Sequence, residues 1–292
     1  MTQKEDRMRR AYGVSGKLFR DRLAQERPDD ADELSRIEPS EVVVVRGHYD
    51  HMHRVLEASE VPFLHLGPTQ LARADWDRMQ VLLVNCPGHL PPDALERIAP
   101  WVRRGGYLLT TDWALKHVIE PAFPGTIRHN GQQSADCVVR VQACEEGDDP
   151  LLAGFLEDGR DPLWWLETAS YPIEVLDEKR VRVLMRSGEV GKRLGTDPIV
   201  VTFDEGDGTV LHMMSHLYLQ RGDVRDTRDA QPAMDYMAQA LEMDGEDAAR
   251  YAAEAGDLQA AEISAAMGKQ RILSNQILTR RRKGRASKEE SK

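Results

Sequence analysis

The sequence predicts an α/β fold: an open, mostly parallel sheet with helices on both faces, extended by antiparallel strands and followed by a helical C-terminal region. Three observations carry this. The first half alternates short apolar runs with segments of helical apolar spacing, joined by short links, as in a parallel sheet covered by crossover helices. Beyond residue 122 apolar runs follow one another with few helical segments between them. From residue 223 the pattern turns helical and becomes alanine-rich.

Residues 1–40 balance nine basic against nine acidic side chains and read as a charged N-terminal helix or linker. Within them "SGKLFRDRLAQE" suits one amphipathic helix, and "RPDDADELSRIEPS" a linker or a short second helix. An α/β domain then spans 41–222. It opens on "VVVV", a β-branched run of the kind buried on both faces of a parallel sheet. "YDHMHRVLEASE" sets Met52, Val55 and Leu56 at helical spacing, with Asp50 the expected N-cap.

"PFLHLG", "VLLVNCPG" and "YLLTTDW" are the next strands, so the first four start at Val42, Pro62, Val81 and Tyr107. "TQLARADWDRM" is a short helix or loop, and "PPDALERIAPWVRRGG" a helix stopped by glycines. Strands are then expected in "TIRHN", "CVVRVQ", "LETASYPIEVL", "RVRVLMRS", "PIVVTFDEG" and "TVLHMMSHLYL". "SGEVGKR" has a Gly-Lys pair without P-loop spacing and reads as a loop. Residues 223–279 form the helical region. Residues 280–292, with seven basic side chains against two acidic, are expected to be a disordered basic tail.

A chain of 292 residues with 41% hydrophobic side chains can bury a sizeable core. The net charge of −10 argues against a generic nucleic-acid binder, although the basic tail is a weak candidate for contact with nucleic acid or an acidic protein. Cys86, Cys137 and Cys144 lack CxxC or zinc-ribbon spacing, which suits a reducing compartment. With no apolar leader and no long apolar stretch, the expectation is a cytoplasmic protein with no membrane partner and no cofactor.

"VVVVRGHYDHMHRVLE", "VLLVNCPGHLPPDALERIAPWVRRGGYLLTTDWAL" and "GDGTVLHMMSH" together resemble the class I glutamine amidotransferase-like superfamily. That superfamily is flavodoxin-like and includes ThuA-like proteins and noncatalytic members of gliding and intraflagellar-transport systems. The resemblance covers roughly 41–222 and implies an elbow after the fourth strand and a histidine after the late "GTVLHMMSH" strand. This chain departs at both places. The elbow has no thiol and no Gly-x-Cys-x-Gly, and His216 is followed by Leu217 and Tyr218 where an amidotransferase has Pro-Glu. Cys86 falls where the superfamily more often supplies oxyanion contacts. Glutamine hydrolysis is therefore not expected.

Candidate catalytic residues are Cys86, Asp112 and His216, all expected at the carboxyl edge of the sheet, where ligands of open α/β sheets bind. Asp112 admits three readings: a cap for the helix "WALKHVI", an acid that orients His216, or a nucleophile or base of a hydrolase. Cys86 reads as a small buried hydrophobe or as half of a dyad with His216. His48, Asp50 and His51 are metal candidates at the same edge, set against a structural role for the whole "GHYDHMH" cluster. Trp164 and Trp165 should face opposite sides of a strand, one of them towards the core.

Two functions follow. The first is a noncatalytic amidotransferase-like binding or assembly domain, engaging a protein partner or a second copy through 223–279. Its basis is the empty elbow and the thin apolar stripe of Leu258, Ile263, Ile272, Leu273, Ile277 and Leu278. The alternative is a hydrolase using a metal or a Cys86–His216 pair at the carboxyl edge of the sheet.

Overall fold

The computed structural model describes residues 3–144, 149–154, 163–218, 227, 229–239 and 241–290. Helices α1 (Gln3–Glu26) and α2 (Pro28–Ser35) precede the first strand, β1 (Val42–Val45). The alternation continues with α3 (Met52–Ala58), β2 (Leu64–Leu66), α4 (Pro68–Leu71), β3 (Val81–Val84), α5 (Pro92–Arg103) and β4 (Tyr107–Thr111). A π-helical turn, Leu115–Ile119, leads into α6 (Glu120–Ala122). Strands β5 (Ile127–His129), β6 (Cys137–Arg140), β7 (Gln142–Ala143), β8 (Leu163–Leu166), β9 (Ile173–Val175) and β10 (Arg182–Arg186) follow. The described chain ends with α7 (Gly188–Leu194), β11 (Pro198–Glu205), β12 (Gly208–Met213), α8 (Ala233–Gln239), α9 (Gly245–Ala255) and α10 (Ala260–Glu290).

Eight strands form one sheet in the order β2-β1-β3-β4-β12-β11-β10-β7. The pairings from β2 to β12 are parallel and those from β12 to β7 antiparallel. Counting the parallel strands in chain order gives 2-1-3-4-5, the flavodoxin-like arrangement, whose ligand crevice opens beside the carboxyl ends of the first and third strands. β1 and β3 are buried along their whole length, as unbroken aliphatic runs require. The β5–β9 and β6–β8 pairs stand as separate two-stranded ribbons, so only part of the expected antiparallel region joins the sheet.

Three local expectations need correction. β2 starts at Leu64, not Pro62, consistent with a proline that has no N–H for the ladder. Residues 187–193 fall mostly in α7, which ends on Gly195 at φ +75°, a left-handed cap that glycine adopts freely. Asp50 does not cap α3; His51 holds the cap position without a side-chain bond, and Asn85 Oδ1 accepts the Met52 N–H at 3.0 Å instead.

The largest correction concerns the C-terminal helix. Ile263, Ile272, Leu273, Ile277 and Leu278 are all buried in this chain's own core, as is Leu258 just before the helix. α10 packs along α1 and also meets α2, α3, α8, β4 and β8. Some of its polar residues go inside as well and find backbone acceptors: Gln270 donates to Tyr12 O at 3.1 Å, and Asn275 to Ala153 O at 2.9 Å. α1 completes this layer by burying Met8, Tyr12, Leu18 and Phe19. Residues 1–40 thus belong to the packed body as helices, and the thin stripe is not left open for a partner.

α10 runs on past residue 280 to Glu290, and at the start of that basic segment Arg281 bridges Glu33 and Glu41 while Arg282 pairs with Asp30. The expected boundary at 223 and the last two residues of the tail lie outside the described residues. Among the described residues, no helix is long and apolar enough to cross a membrane.

Candidate functional site

Three strands deliver the three catalytic candidates to one place. Cys86 lies two residues past β3, Asp112 one past β4 and His216 three past β12. One ligand atom from each falls within 4.8 Å of the others, and all three residues are buried. The chain can pack closely here because Gly47, just past β1, has no side chain: a Cβ there would collide with the Cys86 carbonyl.

Asp112 occupies the elbow. Its φ of +50° is a left-handed value that non-glycine residues seldom adopt, here at a strand-to-helix turn. The side chain does not cap the following helix, which has no side-chain cap. Instead Asp112 Oδ1 accepts Tyr171 N–H at 2.8 Å, Oδ2 accepts the Ser170 hydroxyl at 3.1 Å, and Oδ2 lies 3.4 Å from His216 Nε2. Of the three sequence readings, the geometry fits the acid beside His216.

His216 sits between two carboxylates, with Nδ1 2.6 Å from Glu167 Oε2. Both contacts are close, yet neither ring nitrogen has an aligned hydrogen-bond partner. Burial opposes the imidazolium, but Asp112, Cys86 and Glu167 together outweigh it and hold His216 well above the ordinary histidine value. Burial pushes the Asp112 carboxyl up, with His216 opposing. Burial likewise raises the Cys86 thiol, against the lowering influence of His216 and of the Trp113 backbone N–H. A thiol whose burial holds it above its ordinary value is not an activated nucleophile.

Asp50 belongs to the frame of the site. Its carboxylate accepts the backbone N–H groups of His51 at 2.7 Å, Leu217 at 3.0 Å and Tyr218 at 3.1 Å. Tyr12 donates its hydroxyl to Leu217 O at 2.7 Å and stacks on Tyr218. From beneath, Lys269 donates to His216 O at 3.2 Å and lies over the Trp164 ring. Burial drives this lysine well below its ordinary value.

The expected metal candidates do not converge. His48 is exposed, Asp50 is spent on backbone N–H groups, and His51 neighbours His53, which stacks on His65. Both tryptophans of β8 are buried, Trp164 against Lys269 and Trp165 donating to Asp136 at 2.6 Å. Sequence reasoning missed Glu167, Ser170 and Lys269. The first two sit in a loop after β8 with no motif spacing, and the third lies on a helix expected to engage a partner.

No protein-family model matches the chain, and no curated protein matches it. Among solved structures, it is similar to an exo-β-1,4-mannosidase from Opitutaceae bacterium strain TAV5 at 14% identity, covering 68% of this chain and 34% of that one, with a TM-score of 0.42. A putative ThuA-like protein from Bacteroides uniformis shares 14% identity over 61% of this chain and 82% of that one, with a TM-score of 0.43. A putative GMP synthase component from Thermoplasma acidophilum shares 12% identity over 61% and 84%, with a TM-score of 0.44. The chain spans only 34% of the mannosidase's length.

Proposed function

We propose that this protein is a noncatalytic, amidotransferase-like binding domain. The observation that carries the reading is Asp112 at the elbow. The position that an amidotransferase-like enzyme gives to its nucleophilic thiol holds a carboxylate, fastened by Ser170 and Tyr171 and covered by the fold. The one nearby thiol, Cys86, is buried and held in its neutral form. A protein partner remains part of the proposal, but its docking surface is not the apolar stripe of α10, which the chain covers itself.

The test is turnover. Purified protein should release no ammonia from glutamine and hydrolyse no activated ester above background, and Cys86→Ala should change neither rate. Cys86-dependent turnover of either substrate would overturn the reading. It would favour the alternative, a Cys86–His216 hydrolase, which is supported by the convergence of the three candidate side chains.

A further inference from the structure

The same three side chains also form a ligand set. A thiolate, a carboxylate and an imidazole suit a borderline divalent cation such as Zn2+, whereas Mg2+ and Ca2+ take oxygen ligands. Cys86, Asp112 and His216 are the one such buried group among the described residues. The 3.4 Å from His216 Nε2 to Asp112 Oδ2 matches a tetrahedral edge. Zinc bonds of about 2.0–2.1 Å to nitrogen and oxygen require an edge of roughly 3.3 Å.

Two features, one at each ring nitrogen, point the same way. His216 is almost fully buried, yet its Nε2 has no aligned hydrogen-bond partner, an uncommon state for a buried polar group. On the far side of the ring, Glu167 faces Nδ1 at 2.6 Å, where an outer carboxylate orients a metal-bound imidazole.

We propose that Cys86 Sγ, Asp112 Oδ2 and His216 Nε2 bind one Zn2+, with Glu167 orienting the imidazole from outside. Three protein ligands leave a fourth position for water or an incoming donor. Binding places a dication among Asp50, Asp112 and Glu167 and requires Cys86 as thiolate and His216 as neutral imidazole. The site stands whether or not the domain turns over a substrate.

Chelator-stripped full-length protein titrated with Co2+ tests this, because cobalt reports a thiolate ligand by near-ultraviolet charge-transfer absorption. The expected result is one Co2+ per chain with that absorption, displaced by one equivalent of Zn2+. The Cys137→Ala/Cys144→Ala double variant should keep the signal, and Cys86→Ser should lose it. Glu167→Gln keeps all three ligands in a half-buried position, so it should remain folded and bind Co2+ about tenfold to a hundredfold more weakly. Absence of one-to-one binding in the unaltered protein, or thiolate absorption that survives Cys86→Ser, would overturn the site. Unchanged affinity in Glu167→Gln would overturn the role given to that carboxylate.

Discussion

Asp50 Oδ2 accepts the backbone N–H of Leu217 at 3.0 Å, joining the loop after β1 to the loop after β12. The two segments are 167 residues apart in the chain, so one carboxylate closes a long-range turn beside the candidate site. Hydrogen bonds to a charged group contribute about 1.5–3 kcal/mol each, and a buried N–H left without an acceptor costs more than a bond merely lost. Asp50→Ala should therefore lower unfolding stability by about 3 kcal/mol, read from the urea midpoint. A loss below about 0.5 kcal/mol would show that water replaces the carboxylate.

The burial of α10 reverses an expectation drawn from its composition. Truncation before residue 260 should leave an aggregating or unfolded protein rather than a stable core. A point variant gives the graded version: Leu273, 1% exposed, should cost about 2–5 kcal/mol on replacement by alanine. A truncated chain with an unchanged thermal midpoint would place this helix outside the cooperative unit.

Thiol reactivity should follow exposure and thiolate character. Cys144 is exposed, Cys137 partly buried and Cys86 buried. Burial also raises the thiol values of Cys86 and Cys137. Iodoacetamide at neutral pH should therefore label Cys144 first and Cys86 last, followed by peptide mass spectrometry. Preferential labelling of Cys86 would reveal a reactive thiolate and revive the hydrolase alternative.

His212 supplies a pH test. It is fully buried on β12, its Nδ1 2.7 Å from the Thr110 hydroxyl, and burial pushes it down to about 3. An unfolded histidine titrates near 6.5, so below that pH the unfolded chain takes up a proton that the folded one refuses. Stability from this residue is complete above about pH 6.5 and declines as pH falls towards 3. Between pH 7 and 5 the loss should be about 2 kcal/mol. His212→Gln should flatten that part of the stability profile, and an unaltered slope would mean that the imidazole reaches water.

The central sheet was legible because β1, β3 and β4 are apolar runs that begin where the sequence puts them, at Val42, Val81 and Tyr107. The approach of Cys86, Asp112 and His216 was legible for a related reason. Each follows the carboxyl end of a strand, and parallel pairing brings such ends to one edge. Glu167 was not, since only tertiary packing carries the loop after β8 over that edge. α10 was misread because a thin apolar stripe implies that the remaining side chains face water. Here Lys269, Gln270 and Asn275 are buried and donate to backbone carbonyls.

The packing of α1 along α10 sets an order of events during synthesis. A chain emerging N-terminus first exposes Met8, Tyr12, Leu18 and Phe19 long before their cover exists. The sheet has all its strands by Met213, yet this apolar face stays open until the helix beginning at Ala260 has left the ribosome. While the sheet strands are being made the emerging protein therefore carries an uncovered apolar face on α1, a surface suited to a holding chaperone.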